Sequence, residues 1–176
     1  MLYFVHEILP LIRQQEPSVT VTIVGRSPTP AVARLASDAG IEVTGRVDDV
    51  RPYLAAAAVY IVPLRIGGGT RLKIFEAMSM GKAVVSTTVG AEGLPVTAGE
   101  HLRLADDPDE FAGAVVHLLR SPIERAQLGT RARHLVATTY DWAAAATELE
   151  MGLELATRRA VSDVVSRRSE LQPQQG

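Results

Sequence analysis

The chain has 176 residues, 47% of them hydrophobic and 22% charged, enough for one domain of ordinary size with a real core. Eighteen basic against twenty acidic side chains give a formal charge of -2, which disfavours a nucleic-acid reader driven by bulk charge. Cysteine is absent, so disulfides, thiolate nucleophiles and cysteine-ligated zinc are excluded, and His6, His101, His117 and His134 are scattered without metal-ligand spacing. The longest apolar stretch, 54–64, is about half the roughly twenty residues of a transmembrane helix. The first residues carry neither a basic n-region nor a small-residue cleavage site, so the expectation is a cytoplasmic α/β domain.

Short apolar runs bounded by Gly, Pro or Asp alternate with longer stretches of helical period, the pattern of βαβ units around a parallel sheet. A helix is expected over 3–15, with Phe4, Ile8, Leu11 and Ile12 on one face, followed by a strand over 19–24 that ends at Gly25 and Arg26. Thr29 followed by Pro30 starts a helix that stops at Gly40. A short strand over 41–44 leads into Gly45-Arg46-Val47-Asp48-Asp49 and a short helix through Leu54. Residues 59–62 read as the clearest buried strand, apolar at four consecutive positions as a sheet covered on both faces requires, and Pro63 closes it.

Further along, a helix over 72–80 is stopped by Gly81, 83–85 form a second buried strand, and 101–104 a shorter, more exposed one. Asp107-Pro108-Asp109-Glu110 and Ser121-Pro122-Ile123-Glu124 are helix starts, each with a capping side chain, an early proline and an acidic first turn. Asp141 caps a last helix that runs past Leu155, with Trp142 as its core anchor, and the tail frays at Gln-Pro-Gln-Gln-Gly. The domain is thus expected over 1–157, with 158–176 as a helical tail whose arginine-rich run is most simply a solvated helix end.

The chemistry concentrates in residues 63–76, P-L-R-I-G-G-G-T-R-L-K-I-F-E, between a buried strand and a helix, where open α/β sheets bind ligands. Gly67, Gly68 and Gly69 let backbone N–H groups approach an anion, and Thr70 is a natural N-cap. Arg71 and Lys73 then fall in the first turn, against the positive end of the helix dipole, at a cost of about 0.3–1 kcal/mol per charge that a bound phosphate reverses. Lys73 and Glu76 share a helix face, so a phosphate at Lys73 and a diol at Glu76 describe a nucleotide's diphosphate and ribose. The bland reading stays open: a tight glycine turn and a solvated Lys73–Glu76 pair. Other phosphate motifs fail, since Gly81-Lys82 is followed by Ala83 rather than Ser or Thr, and a dinucleotide fingerprint begun at Gly67 places its third glycine on Leu72.

These residues resemble a known family. The pattern G-G-G-T-R-x-K-x-x-E-A-M-x-x-G-x-P-V-V-x-T…G-A-E-G is met by Gly67 through Met78, then Gly81, Val84 to Thr87 and Gly90-Ala91-Glu92-Gly93. It is similar to the donor-binding half of retaining nucleotide-sugar glycosyltransferases of the two-domain GT-B architecture, glycosyltransferase family 4, over nearly the whole chain. The resemblance implies a Rossmann-like, doubly wound parallel sheet with helices on both faces. It implies that Glu76 holds the donor ribose, that Lys73 or Arg71 and the amides of Gly69 and Thr70 meet the diphosphate, that Gly45, Arg46 and Val47 run along the base, and that Gly25 and Arg26 line the same crevice. Gly67 and Gly68 belong to the same loop. Two departures are expected to matter: Gly68 stands where many members carry a first glutamate, and the strand before the opening helix is missing, leaving a gap in the sheet, along with an acceptor domain.

The leading expectation is therefore transfer of a hexose from a UDP- or GDP-sugar, with retention, to a glycan or lipid-linked glycan acceptor in cell-surface polysaccharide synthesis. Arg71 and Lys73 would stabilise the leaving diphosphate with no cofactor and no metal, since no carboxylate cluster flanks it. This stretch by itself is expected to be inactive, and a weak contact of its tail with anionic lipid at the inner face of the membrane is the minor alternative to a solvated helix end. The alternatives are a non-catalytic nucleotide-sugar binding module and a related nucleotide-sugar enzyme such as a 2-epimerase. Glu92 is left open between the site and an ordinary turn.

Overall fold

In the computed structural model, which describes residues 1–67 and 71–139, the chain opens with a π-helical turn, Phe4–Ile8, that passes directly into α1, Leu9–Gln15. Pro10 is the physical cause: it has no N–H and its ring crowds the carbonyl four residues back, so the ladder widens and Leu9 donates to the Phe4 carbonyl instead. The widened turn also changes the buried face. Phe4, Val5, Ile8, Leu9 and Ile12 go inside, and Leu11, expected there, is only half-buried.

Strand β1, Val21–Val24, starts two residues later than expected, because the Val19 N–H is held in a turn by the Glu16 carbonyl. Thr29 caps α2, Pro30–Ala33, accepting from the Val32 N–H at 3.4 Å. The segment then tightens into a 3₁₀ turn, Arg34–Ser37, and Gly40, at φ +81°, swings the chain into β2, Ile41–Gly45. Next come α3 (Arg51–Ala56), β3 (Val59–Val62), α4 (Leu72–Ser79) and β4 (Ala83–Ser86). The expected strand over 101–104 contracts to β5, Arg103–Leu104, extended by one isolated bridge between Ala98 and Leu102. Asp107 caps α5, Pro108–Arg120, by accepting from the Asp109 and Glu110 N–H groups, and α6 spans Pro122–Thr139. The residues up to Val136 form one compact unit. Asp141, Trp142 and the basic tail lie outside the described residues.

All the strands pair in parallel, but in two sheets: β1 with β2, and β3-β4-β5 in that order. Among the described residues β1 and β3 are not hydrogen-bonded neighbours, which leaves a break between the two sheets. It also corrects the burial order. β4, paired on both sides, is buried at every position, whereas β3, paired on one side only, is half-buried at all four. Alternate residues of β4 feed two cores. Ala83 and Val85 pack with Phe4, Ile8, Phe111, Leu118 and Leu128, and Val84 with Leu54, Ile74, Met78, Leu102 and Ala132. Helices therefore cover both faces, a Rossmann-like α/β arrangement. Phe4 and Phe111 meet edge-to-face at 6.3 Å in the first core, and burying a side chain of that size contributes about 1.5–3 kcal/mol.

Candidate functional site

The carboxyl ends of the parallel strands carry the candidate residues in two groups. At the first, the Gly25 N–H donates to the Gly45 carbonyl at 3.3 Å, tying the end of β1 to the end of β2. The register slips between Ile23 and Val24, and Gly45, at φ +69°, turns the chain back toward Val47. Arg26 and Arg46 project from these ends, exposed and in no ion pair among the described residues.

The second group follows β3. Gly67 lies at the end of an exposed loop in which Ile66 is 90% exposed, while Gly68, Gly69 and Thr70 lie outside the described residues. Helix α4 begins at Leu72, so Lys73 is in its first turn as expected, but Arg71 occupies the cap position and not the first turn. The Arg71 guanidinium is also turned away from solvent, with only 9% of its side chain exposed. Its Nη2 donates to the Gly67 carbonyl (3.1 Å) and the Val89 carbonyl (2.8 Å) and stands 3.7 Å from Glu92 Oε2. Its Nε is buried without a partner among the described residues.

Lys73 and Glu76, by contrast, are both exposed and form no ion pair with each other, so the solvated-pair reading does not describe them. Lys73 leaves an unneutralised cation at the positive end of α4. The Glu76 carboxylate lies near Tyr60 on β3, whose hydroxyl is pushed up in pKa first by burial and then by that negative charge.

A third element completes the edge, the turn over 87–93 after β4. The Thr87 N–H donates to the Val62 carbonyl at 3.2 Å, its hydroxyl to the Leu64 carbonyl, and the Gly90 N–H returns to the Thr87 hydroxyl at 3.0 Å. A methyl group on Gly90 would stand 2.9 Å from the Val62 carbonyl oxygen, so the turn packs against β3 only with glycine there. Thr88 donates through its N–H and hydroxyl to the two oxygens of Asp106 (2.8 and 2.6 Å), and these bonds hold the Asp106 carboxyl below its usual range. Sequence reasoning missed Thr88, Val89 and Asp106. The Thr87-Thr88 pair behind a buried strand was the available signal, but its acceptor is 18 residues away.

Lys82, from the rejected Gly-Lys motif, donates to the Ala55 and Ala57 carbonyls (2.7 and 3.0 Å), closing the C-terminal end of α3. His117 and Arg103, the latter at the amino end of β5, both meet Glu124 at the α5–α6 junction and lower its pKa by hydrogen bonding. His101 Nδ1 accepts from the Thr97 N–H, a local turn contact. Among the described residues no group of three His, Asp or Glu is placed to hold a metal, and no helix is long and apolar enough to cross a membrane.

The family model for glycosyl transferases group 1 matches residues 1–121. A phosphatidyl-myo-inositol mannosyltransferase of Mycolicibacterium smegmatis is 32% identical over 147 residues, covering 80% of this chain and 38% of that protein. Among solved structures, Anabaena HepE in complex with UDP superposes with a TM-score of 0.69 at 19% identity, over 86% of this chain and 44% of that one. Sucrose-phosphate synthase from Thermosynechococcus elongatus gives 0.68 at 25% identity, over 88% and 42%. The chain thus spans less than half the length of each of these relatives, and the likenesses show a Rossmann-like fold shared with GT-B proteins.

Proposed function

The chain belongs to the group 1 glycosyl transferases, and we propose that it forms the donor-binding half of a retaining GT-B enzyme of glycosyltransferase family 4, one that transfers a hexose from a UDP- or GDP-sugar. The observation that carries this reading is the pair Lys73 and Glu76, both exposed, unpaired with each other and one turn apart behind a glycine-rich loop. Negative charge builds on the diphosphate as the glycosyl bond breaks. Lys73 and the N-terminus of α4 offset that charge, more in the transition state than in the ground state, with no metal invoked. Glu76 accepts from the ribose hydroxyls, and the backbone of Gly45, Arg46 and Val47 follows the base, with Gly25 and Arg26 beside it. The UDP complex of HepE and the GDP-mannose dependence of a mycobacterial relative support the two donor classes. The acceptor, a glycan or lipid-linked glycan, is assigned to the rest of a longer protein.

Calorimetric titration of the chain with UDP, GDP and their 2′-deoxy forms tests the reading. A charged acceptor contributes about 1.5–3 kcal/mol per hydrogen bond, so Glu76→Ala should weaken the ribonucleotides at least tenfold and the deoxy forms much less. Equal losses would separate Glu76 from the ribose. A wild-type chain that binds neither nucleotide would overturn the proposal.

A further inference from the structure

Arg71 ties together two loops that come from different strands. Its Nη2 reaches the carbonyl of Gly67, in the loop after β3, and that of Val89, in the turn after β4. The guanidinium is buried, its Nε has no partner among the described residues, and the described carboxylate nearest its charge in an ion pair is Glu92 at 3.7 Å, beyond hydrogen-bond length. Glu92 itself is 74% exposed. It therefore stands beside a buried cation while its oxygens stay available as acceptors. The turn that carries it packs through Gly90 on the Val62 carbonyl and is hydrogen-bonded through Thr88 to Asp106.

We infer that Glu92 receives hydroxyl groups of the glycosyl moiety of a nucleotide sugar, and that Arg71 is the positioning residue that sets it beside Gly67. This deepens the donor-binding reading and rests on it. The chemistry decides the ligand class. A carboxylate beside a diphosphate site repels the diphosphate, whereas its two oxygens suit a pair of neighbouring hydroxyls, which donate. Lys73 and Glu76 are on α4, whose cap residue is Arg71, and Arg71 links Glu92, in the turn after β4, to the Gly67 carbonyl in the loop after β3. Recognition of the sugar thus comes from a different loop than recognition of the nucleotide, and Arg71, the cap residue of α4, acts through Glu92 rather than on the diphosphate.

The test compares nucleoside diphosphates with nucleotide sugars on the 176-residue chain, using UDP, UDP-glucose, GDP and GDP-mannose in calorimetry. Glu92→Gln keeps the shape of the side chain and removes its charge. It should leave UDP and GDP affinity within twofold and weaken at least one of the two nucleotide sugars by about tenfold, the loss of a hydrogen bond to a charged acceptor. Arg71→Lys keeps the charge but cannot span both carbonyls, and should reproduce the same selective loss. A purely structural role would lower the melting temperature or weaken all four ligands alike. If the wild type binds the diphosphates and Glu92→Gln leaves every ratio of sugar to diphosphate unchanged, the inference falls and the donor site stands. If the wild type binds neither diphosphate, both fall together.

Discussion

Gly129, in the middle of α6, lies against the backbone of Gly81, the residue that ends α4: a methyl group at 129 would stand 2.7 Å from the Gly81 carbonyl carbon. The two glycines serve different physical needs. Gly81 sits at φ +67°, where a side chain is strained, and Gly129 leaves the space for that turn to approach. Gly129→Ala should destabilise the chain by about 2–3 kcal/mol, because backbone and not a flexible side chain stands in the way. Gly113, within α5, meets nothing within 4 Å, so Gly113→Ala should stabilise by about 0.5–1 kcal/mol through helix propensity. Urea midpoints at constant slope compare the two, and an unchanged midpoint for Gly129→Ala would remove this packing argument.

Lys73 is exposed at the positive end of α4 and pairs with no carboxylate among the described residues. Lys73→Ala should keep or slightly raise the melting temperature of the empty protein, by at most about 1 kcal/mol of relieved repulsion. It should also abolish most of the thermal stabilisation that saturating UDP or GDP provides by mass action, with added salt narrowing the difference. A variant stabilised by the nucleotides as much as the wild type would place the phosphate contacts elsewhere.

Asp106 sets a pH dependence. Hydrogen bonds from the Thr88 hydroxyl and N–H lower its pKa from 3.8 in the folded chain. The folded value is below the unfolded one, so the stabilisation is complete above the unfolded pKa and is lost as pH falls through the folded one. Since the carboxylate is exposed, its worth after solvent screening is about 0.5–1 kcal/mol. Denaturation at pH 6 should show Asp106→Asn weaker than wild type by that amount, with the difference shrinking toward pH 3. A difference that does not change with pH would assign the effect to shape alone.

Among the described residues, the break between the two sheets leaves β1 bonded to β2 alone and β3 to β4 alone. The Val21 and Gly25 N–H groups point toward β2, where they donate to Gly40 and Gly45, so Thr22, between them in alternation, presents its N–H to the open edge. Such an edge templates pairing with other chains. We expect concentration-dependent association in sedimentation velocity, and Thr22→Pro, which removes an edge donor without touching the β1–β2 ladder, should reduce it. A wild-type chain that stays monomeric at high concentration would show that the edges are protected.

Local signals carried the element order. Thr29 and Asp107 cap their helices, Pro30 and Pro108 stand at the starts, and Gly81 ends α4, because each effect depends on residues within about one turn. The α/β class and the two exposed residues Lys73 and Glu76 were readable for the same reason: periodicity and spacing along a helix are properties of the chain itself. The π turn before Pro10 was also local, though its consequence for Leu11 emerged only with the fold. Contacts across space were decided by tertiary structure alone. Four apolar residues in β3 do not reveal that one side of the strand has no partner, and Gly129 looks like any helix glycine until Gly81 is set against it. Arg71 and Lys73 read alike as cations two positions apart. Burial separated them, turning one guanidinium toward the carbonyl of Val89, 18 residues away, and leaving the other charge in solvent, because which side of a loop is covered depends on what folds over it.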